Sequence, residues 1–183
     1  NSLPTAVTDL SSMLLGASSF NADISAWNMA NVTSMKNMFA SARAFNQNIG
    51  AWNTSNVLDM SGMFLNAARF NQDIGSWNTA KVASMRLMFA GATSFNQNIS
   101  GWNTSNVTDM SMMFSGSGAT GAKPDMRRWD FSHVLDMSGM LHGVTLTAVN
   151  SSTTNQTTTW AYGTTLSTAE VASSLLLRSV AYP

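Results

Sequence analysis

The chain has 183 residues, enough for one compact domain or one short repeat solenoid, and its 9 basic and 9 acidic side chains cancel. Only 10% of its positions are charged, which excludes a basic face for nucleic acid or for an anionic membrane. Because there is no cysteine and no run of 18 apolar residues, disulfides, thiolate metal sites and a membrane-spanning helix are excluded as well.

A period of 25 residues runs through the chain. Tryptophan, isoleucine and a Phe-Asn pair each recur at this spacing, and the tryptophans are Trp27, Trp52, Trp77 and Trp102. A fixed period of this length is typical of a solenoid, in which each repeat is one coil stacked on the next. Residues 1–6 resemble the end of a coil, so we expect a mature or trimmed product, or a fragment of a longer protein.

The first half of each repeat predicts a short helix. Counted from the valine that starts a repeat, positions 4, 7, 8 and 11 are apolar, as in Met35, Met38, Phe39 and Ala42. This i, i+3, i+4, i+7 spacing marks one face of a helix of about two turns. Methionine fills irregular gaps, so we interpret the methionine pairs as core residues rather than as a metal-binding cluster.

The second half of each repeat, Phe-Asn-Gln-Asn/Asp-Ile-x-x-Trp-Asn, predicts one short strand per coil. Stacked in register, these strands would form a parallel sheet with coils about 4.8 Å apart and with Phe, Ile and Trp directed inward. The recurring asparagines are interpreted as turn residues or as an amide ladder along the stack, rather than as ligands. The predicted exposed strand face, available to a partner, consists of Gln47, Asn48, Gln72, Asp73, Gln97 and Asn98.

Charged residues alternate with neutral ones from coil to coil. The pattern sets Lys36 and Arg86 between Asp9, Asp59 and Asp109 along the stack. Because like charges directly opposite each other would repel, this alternation favours stacking in register.

The repeat changes towards the end of the chain. Residues 115–128 (SGSGATGAKPDMRR) depart from it, and a sixth repeat starts at Val134. Residues 143–166 are threonine-rich and predict a strand or an extended linker, whereas residues 167–180 predict a helix. We therefore expect a repeat solenoid over residues 1–141, with about five full coils and a partial sixth. Residues 142–183 would form a cap or the start of another domain.

The repeats resemble a known family. Residues 57–64 (VLDMSGMF) and 70–78 (FNQDIGSWN) are similar to the units of BspA-like leucine-rich-repeat surface proteins, and the similarity covers about residues 7–141. The predicted fold class is therefore an α/β solenoid, a leucine-rich-repeat-like stack of 25-residue coils with a short helix and a short strand in each. The resemblance also implies an extracellular or cell-surface location and a role in adhesion or structural assembly, with no shared catalytic residues.

No motif in the sequence predicts catalysis. The two histidines, His133 and His142, have no third ligand at metal spacing, and neither a phosphate loop nor a nucleophile motif is present. We expect a non-enzymatic module without cofactor or metal. Its partner would be a protein or a glycan, with self-assembly through the coil ends as a further expectation.

Two alternatives concern the polar surface. A carbohydrate- or ice-binding solenoid is the second functional hypothesis, because Thr54, Thr79 and Thr104 share one register in which a flat row of hydroxyls could order water. Asn-X-Ser/Thr sequons also occur in the chain, and those at Asn150 and Asn155, in the threonine-rich segment, are the predicted glycosylation sites.

Overall fold

The computed structural model describes residues 3–117, 126, 128–148 and 156–159. Successive 25-residue segments stack on one another in chain order. Isolated parallel bridges mark this stacking, and they join Asp9, Ser34, Asp59, Ser84, Asp109 and Asp136 in sequence. We call the segments that begin at Val7, Val32, Val57, Val82, Val107 and Val134 coils 1 to 6.

The predicted α/β class is wrong. The described residues contain no helix and only two strands, β1 (Thr145–Ala148) and β2 (Gln156–Thr159). These strands pair with each other in an antiparallel sheet, with Thr145 opposite Thr159, and they follow the coils rather than forming part of them. The coils consist of turns joined by single bridges, so they do not form the parallel sheet predicted from the sequence.

Three overlapping turns replace the predicted helix. In coil 2 the N–H groups of Met38, Ala40 and Ala42 donate to carbonyls three residues earlier, at 3.0–3.1 Å. Asn37 and Ser41, at the third positions of the first and last turns, have φ angles of 54° and 60°. A positive φ at this position is the mark of a type II turn and is incompatible with an α-helix.

The N–H groups between these turns bond to the next coil. In coil 2 the N–H of Met35 donates to the carbonyl of Asp59 at 3.0 Å, and that of Phe39 donates to Met63 at 2.9 Å. Every second donor is therefore used along the stack and is unavailable for the i to i−4 bonds of a helix. The overlapping turns still bring positions 4, 7, 8 and 11 to one side, which explains why the sequence has helical spacing.

The second half of each coil is joined to its neighbours mainly by side chains. The indole Nε1–H of Trp52 donates to the carbonyl of Ile24 at 3.3 Å, and the N–H of Asn46 donates to the Asn21 side-chain oxygen at 2.9 Å. A strand ladder would use backbone groups for both partners. In each of these bonds a side chain supplies either the donor or the acceptor in place of a backbone group. No strand therefore forms here.

The core runs along the axis of the stack. Met35 and Met38 are fully buried, which confirms their interpretation as core residues. Phe45, Ile49 and Trp52 also point inward, as the sequence predicts. Equivalent rings stack on one another from coil to coil, and the centroids of Trp27, Trp52, Trp77, Trp102 and Trp129 lie 6.4–6.5 Å apart with planes within 4°.

The later part of the chain continues the stack after an insertion. Trp129 stacks on Trp102, and coil 6 runs to Val144, where β1 follows. Most of the predicted divergent segment and all of the predicted helix at 167–180 lie outside the described residues. The strands β1 and β2 fall within the segment predicted to be extended. No helix in the described part of the chain is long and apolar enough to cross a membrane.

Candidate interaction surface

Short side chains close three backbone turns in a typical coil. In coil 3 the side-chain oxygens of Asp59, Asp73 and Asn78 each accept the N–H of the residue two positions on, at 2.7, 2.9 and 3.1 Å. Asparagine and aspartate favour such turns because the side chain replaces a backbone acceptor. These turns account for part of the high Asn and Ser content of the chain, and they fix the orientation of the side chains at the surface.

The six residues predicted as a binding face divide into two sets. Asn48, Asp73 and Asn98 are exposed, and each accepts one backbone N–H, at 3.0, 2.9 and 3.1 Å. We call these three residues the Asx row. It lies on a turn segment rather than on a strand, and its side chains are held in one orientation from coil to coil.

The three glutamines of the predicted face are partly buried and bond within the stack. Gln47, Gln72 and Gln97 donate from Nε2 to the carbonyl of an asparagine in the preceding coil, each at 3.0 Å. The hydrogen bonds hold these side chains along the coil edge, so their amide groups contribute chiefly to stacking.

The asparagines after the phenylalanines form the predicted amide ladder. The side-chain oxygen of Asn21 accepts the N–H of Asn46, that of Asn46 accepts the N–H of Asn71, and that of Asn71 accepts the N–H of Asn96, at 2.8–2.9 Å. This repeated bond confirms the structural interpretation of the series. Because the side-chain oxygens are used along the stack, the ladder serves the scaffold.

A second exposed row was missed as a surface by sequence reasoning. Asn28, Asn53, Asn78 and Asn103 are all exposed, and each side-chain oxygen accepts the N–H two residues later at 3.0–3.1 Å. The sequence indicated only their role in a turn. The sequence does contain a feature that could have predicted their exposure. The residue two positions after each of these asparagines is a small Ala or Ser, which leaves the asparagine side chain uncovered.

The threonine row does not face solvent. Thr54, Thr79 and Thr104 are each 1% exposed. The hydroxyls of Thr54 and Thr79 donate to the carbonyls of Asn78 and Asn103 in the next coil, at 3.0 and 2.8 Å. A surface that orders water needs exposed hydroxyls, so this row gives no support to ice binding.

Local hydrogen bonds lower the pKa of several carboxyl groups. The hydroxyl and the N–H of Ser11 lower the pKa of Asp9, and the N–H and hydroxyl of Ser25 lower that of Asp23. For Asp136 the groups of Ser138 act most strongly and the positive charge of Arg86 adds a smaller effect. In these three residues the hydrogen bonds that close the turn favour the ionised carboxylate.

The alternating charges do not form ion pairs within the described part of the chain. Arg86 instead donates from Nη1 to the hydroxyl of Ser111 at 2.7 Å. The alternation itself ends at the last contact, where Asp109 and Asp136 are bridge partners.

Polar groups elsewhere in the described residues do not gather into a metal-binding cluster. No group of three or more His, Cys, Asp or Glu side chains could hold an ion there. The Nδ1 atom of His142 lies 3.2 Å from the hydroxyl of Ser115, and that of His133 lies 3.2 Å from Ser132. Asn150 and Asn155, the predicted glycosylation sites, lie outside the described residues.

Comparison with known proteins places the chain in a family. No curated protein and no solved structure gives a significant match. A family profile described as "Mycoplasma protein of unknown function, DUF285" matches twice, over residues 4–92 and 51–160. The two matches overlap and together span most of the chain, in keeping with its internal repeats. The chain therefore belongs to the DUF285 family.

Proposed function

We propose that this protein is a non-catalytic extracellular or cell-surface repeat module that serves adhesion or structural assembly through protein–protein contacts. The observation that carries the proposal is the Asx row, in which a short Asn or Asp side chain recurs at the surface of successive coils and each is held by the same turn hydrogen bond. The resemblance of the repeats to BspA-like surface proteins supports the location.

A regular row suits a partner that makes many weak contacts. Each side chain of the Asx row offers one small polar group, which contributes little alone. Because the turn bonds already hold these groups, binding loses less conformational freedom than it would with mobile side chains. Neighbouring contacts along one rigid stack also act at high effective concentration, which raises the overall affinity.

The chain provides a matched pair of variants for testing this surface. Asn48→Asp with Asn98→Asp keeps every turn acceptor, since Asp73 already occupies the same register, but adds two negative charges to the Asx row. Asn53→Asp with Asn103→Asp makes the same change in the second row, where Asp130 shows that aspartate is accepted. The charges added to the Asx row lie next to Asp23 and Asp73 on adjacent coils, so the Asx-row variant should unfold at a somewhat lower denaturant midpoint than the second-row variant, and binding is compared under conditions where both are folded.

Binding should separate the two variants. Immobilised wild-type chain is screened against purified extracellular matrix proteins and a glycan array, and each ligand found is measured with both variants. We expect a protein ligand whose affinity falls with the Asx-row variant and not with the second-row variant. Equal affinity for all three proteins would refute the use of this row. Selective glycan binding would support the alternative of a carbohydrate-binding solenoid.

Location requires a separate measurement. Intact cells that produce the protein are treated with a protease that cannot enter them, and the remaining protein is quantified by antibody. Loss of the protein from intact cells is the expected result. Protection until the cells are lysed would contradict the proposed surface location.

A further inference from the structure

One methionine on the side of the stack differs from the rest. The chain has 14 methionines, and twelve of them are only 0–5% exposed. Met13 and Met112 are the exceptions, at 51% and 43% exposed. Met13 lies in coil 1, which has no coil before it to cover the side chain. Met112 lies in coil 5, between coils 4 and 6, so its exposure arises within the stack itself.

The turn structure of coil 5 explains why Met112 points outward. Its φ of 53° lies in the left-handed region at the third position of a turn, and its N–H donates to the carbonyl of Ser138 in coil 6 at 2.8 Å. Met110 and Met113, on either side of it in the chain, are fully buried. One turn thus directs two methionines into the core and the third to the side of the stack.

A glycine in the next coil leaves room around the Met112 thioether. A Cβ added to Gly139 would lie 3.3 Å from Cγ and 3.8 Å from Cε of Met112, so the side chain lies along the Gly139 backbone. The sulfur is bonded to both of these carbons. Because the residue remains exposed, a small solute can reach the sulfur from the side away from Gly139.

We propose that Met112 is a modification site, at which a hydroperoxide in solution oxidises the folded protein to methionine sulfoxide. A lone pair of the sulfur forms a bond to the terminal peroxide oxygen as the O–O bond breaks. The hydrogen of that oxygen passes to the leaving oxygen, which departs as water or as an alcohol. The sulfur is oxidised by two electrons and the peroxide is reduced by two.

Exposure makes the reaction selective within one coil. Oxidation of methionine follows the exposure of the side chain, so Met110 and Met113 stay reduced while the stack is closed. A sulfoxide in the core would also bury a polar oxygen without a partner, which is costly. At Met112 the new oxygen is in contact with water, so the product fits the closed stack. Sulfoxide reductases can reverse such a change.

The test follows oxidation residue by residue in a Met13→Leu background, in which Met112 is the one exposed methionine. The folded 183-residue chain is treated with hydrogen peroxide, and mass spectrometry of fragmented peptides locates each added oxygen. Met112→Leu in the same background is the control, because Leu87 occupies this position of coil 4 with a φ of 57°. Should Met13→Leu fail to fold, the wild-type chain gives the same comparison within coil 5.

We expect Met112 to react about tenfold or more faster than Met110 and Met113 in the folded protein, and at an equal rate in urea. The control should take up no oxygen over the same time, and the singly oxidised protein should keep a urea midpoint close to that of the unoxidised one. Equal reaction of all three methionines in the folded protein would overturn the inference. So would a Met112 that reacts only in urea, or a large fall in the midpoint after its oxidation.

Discussion

Replacement of Thr79 by valine tests the structural role of the buried threonine row. The side chain is 1% exposed, and its hydroxyl donates to the carbonyl of Asn103 at 2.8 Å. Valine has nearly the same shape, so the substitution removes the donor with little change in packing. The carbonyl of Asn103 then loses its partner in the neighbouring coil.

The expected loss of stability follows from the burial of the Thr79 hydroxyl and the geometry of its hydrogen bond. A hydrogen bond of this kind contributes about 0.5–1.5 kcal/mol, and a buried acceptor left unpaired costs about 1–3 kcal/mol. This hydrogen bond is only partly buried, which reduces the cost of losing it. We therefore expect Thr79→Val to lower the free energy of unfolding by about 1–2 kcal/mol.

Two further substitutions provide comparisons for the loss of stability expected of Thr79→Val. The Thr104 hydroxyl both donates to the carbonyl of Asp130 and accepts its N–H, at 2.9 and 2.8 Å, so Thr104→Val removes two bonds. Thr108 is exposed and donates to Ala83 at 3.2 Å, so Thr108→Val should change stability by less than about 0.5 kcal/mol. The expected order of destabilisation is Thr104→Val, then Thr79→Val, then Thr108→Val.

Urea unfolding followed by tryptophan fluorescence measures the stability of all three variants. Fluorescence reports unfolding because four of the stacked indoles are buried in the core. The midpoint should fall in that order while the slope stays constant, since the exposed area on unfolding is unchanged. If Thr79→Val cost no more than Thr108→Val, the buried hydroxyls would not contribute to holding the coils together.

Asn46→Ala removes the acceptor for the N–H of Asn71 and should lower the free energy of unfolding in urea by about 1–2 kcal/mol. Asn46→Asp keeps the acceptor oxygen and should lower it by less. An equal loss of stability in both variants would contradict the amide ladder. Met112 has a φ of 53°, which is unfavourable for a side chain with Cβ, so Met112→Asn should stabilise the protein by about 0.5–1 kcal/mol. A lower urea midpoint for that variant would argue against strain there. The N–H and hydroxyl of Ser25 lower the pKa of Asp23 in the folded protein. The ionised carboxylate therefore stabilises the fold fully at pH values above the unfolded-chain pKa of about 3.9. This stabilisation is lost as the pH falls through the lower pKa of the folded state. Asp23→Asn should remove this part of the acid destabilisation measured by urea titration from neutral pH to about pH 2, and an unchanged pH dependence would refute it.

The sequence alone determined the period, the register and the side chains that face inward. These follow from the repeat, because stacked copies give each position the same environment in every coil. The burial of Phe45, Ile49 and Trp52 and the ladder of Asn21 and its equivalents therefore match the sequence prediction. The exposure of Asn48 and its equivalents could also be predicted, although the strand that was expected to carry them is absent.

Only the tertiary structure decided the backbone conformation of the coils. Apolar spacing of i, i+3, i+4 and i+7 fits both a helix and three overlapping turns, so the pattern cannot separate them. The choice depends on the N–H groups of residues such as Met35 and Phe39, whose acceptors lie about one coil further along the chain. The inward direction of Thr79 depends likewise on a carbonyl in the next coil. Hydrogen bonds between coils, which local propensity does not contain, therefore set both the turn structure and the surface that remains exposed.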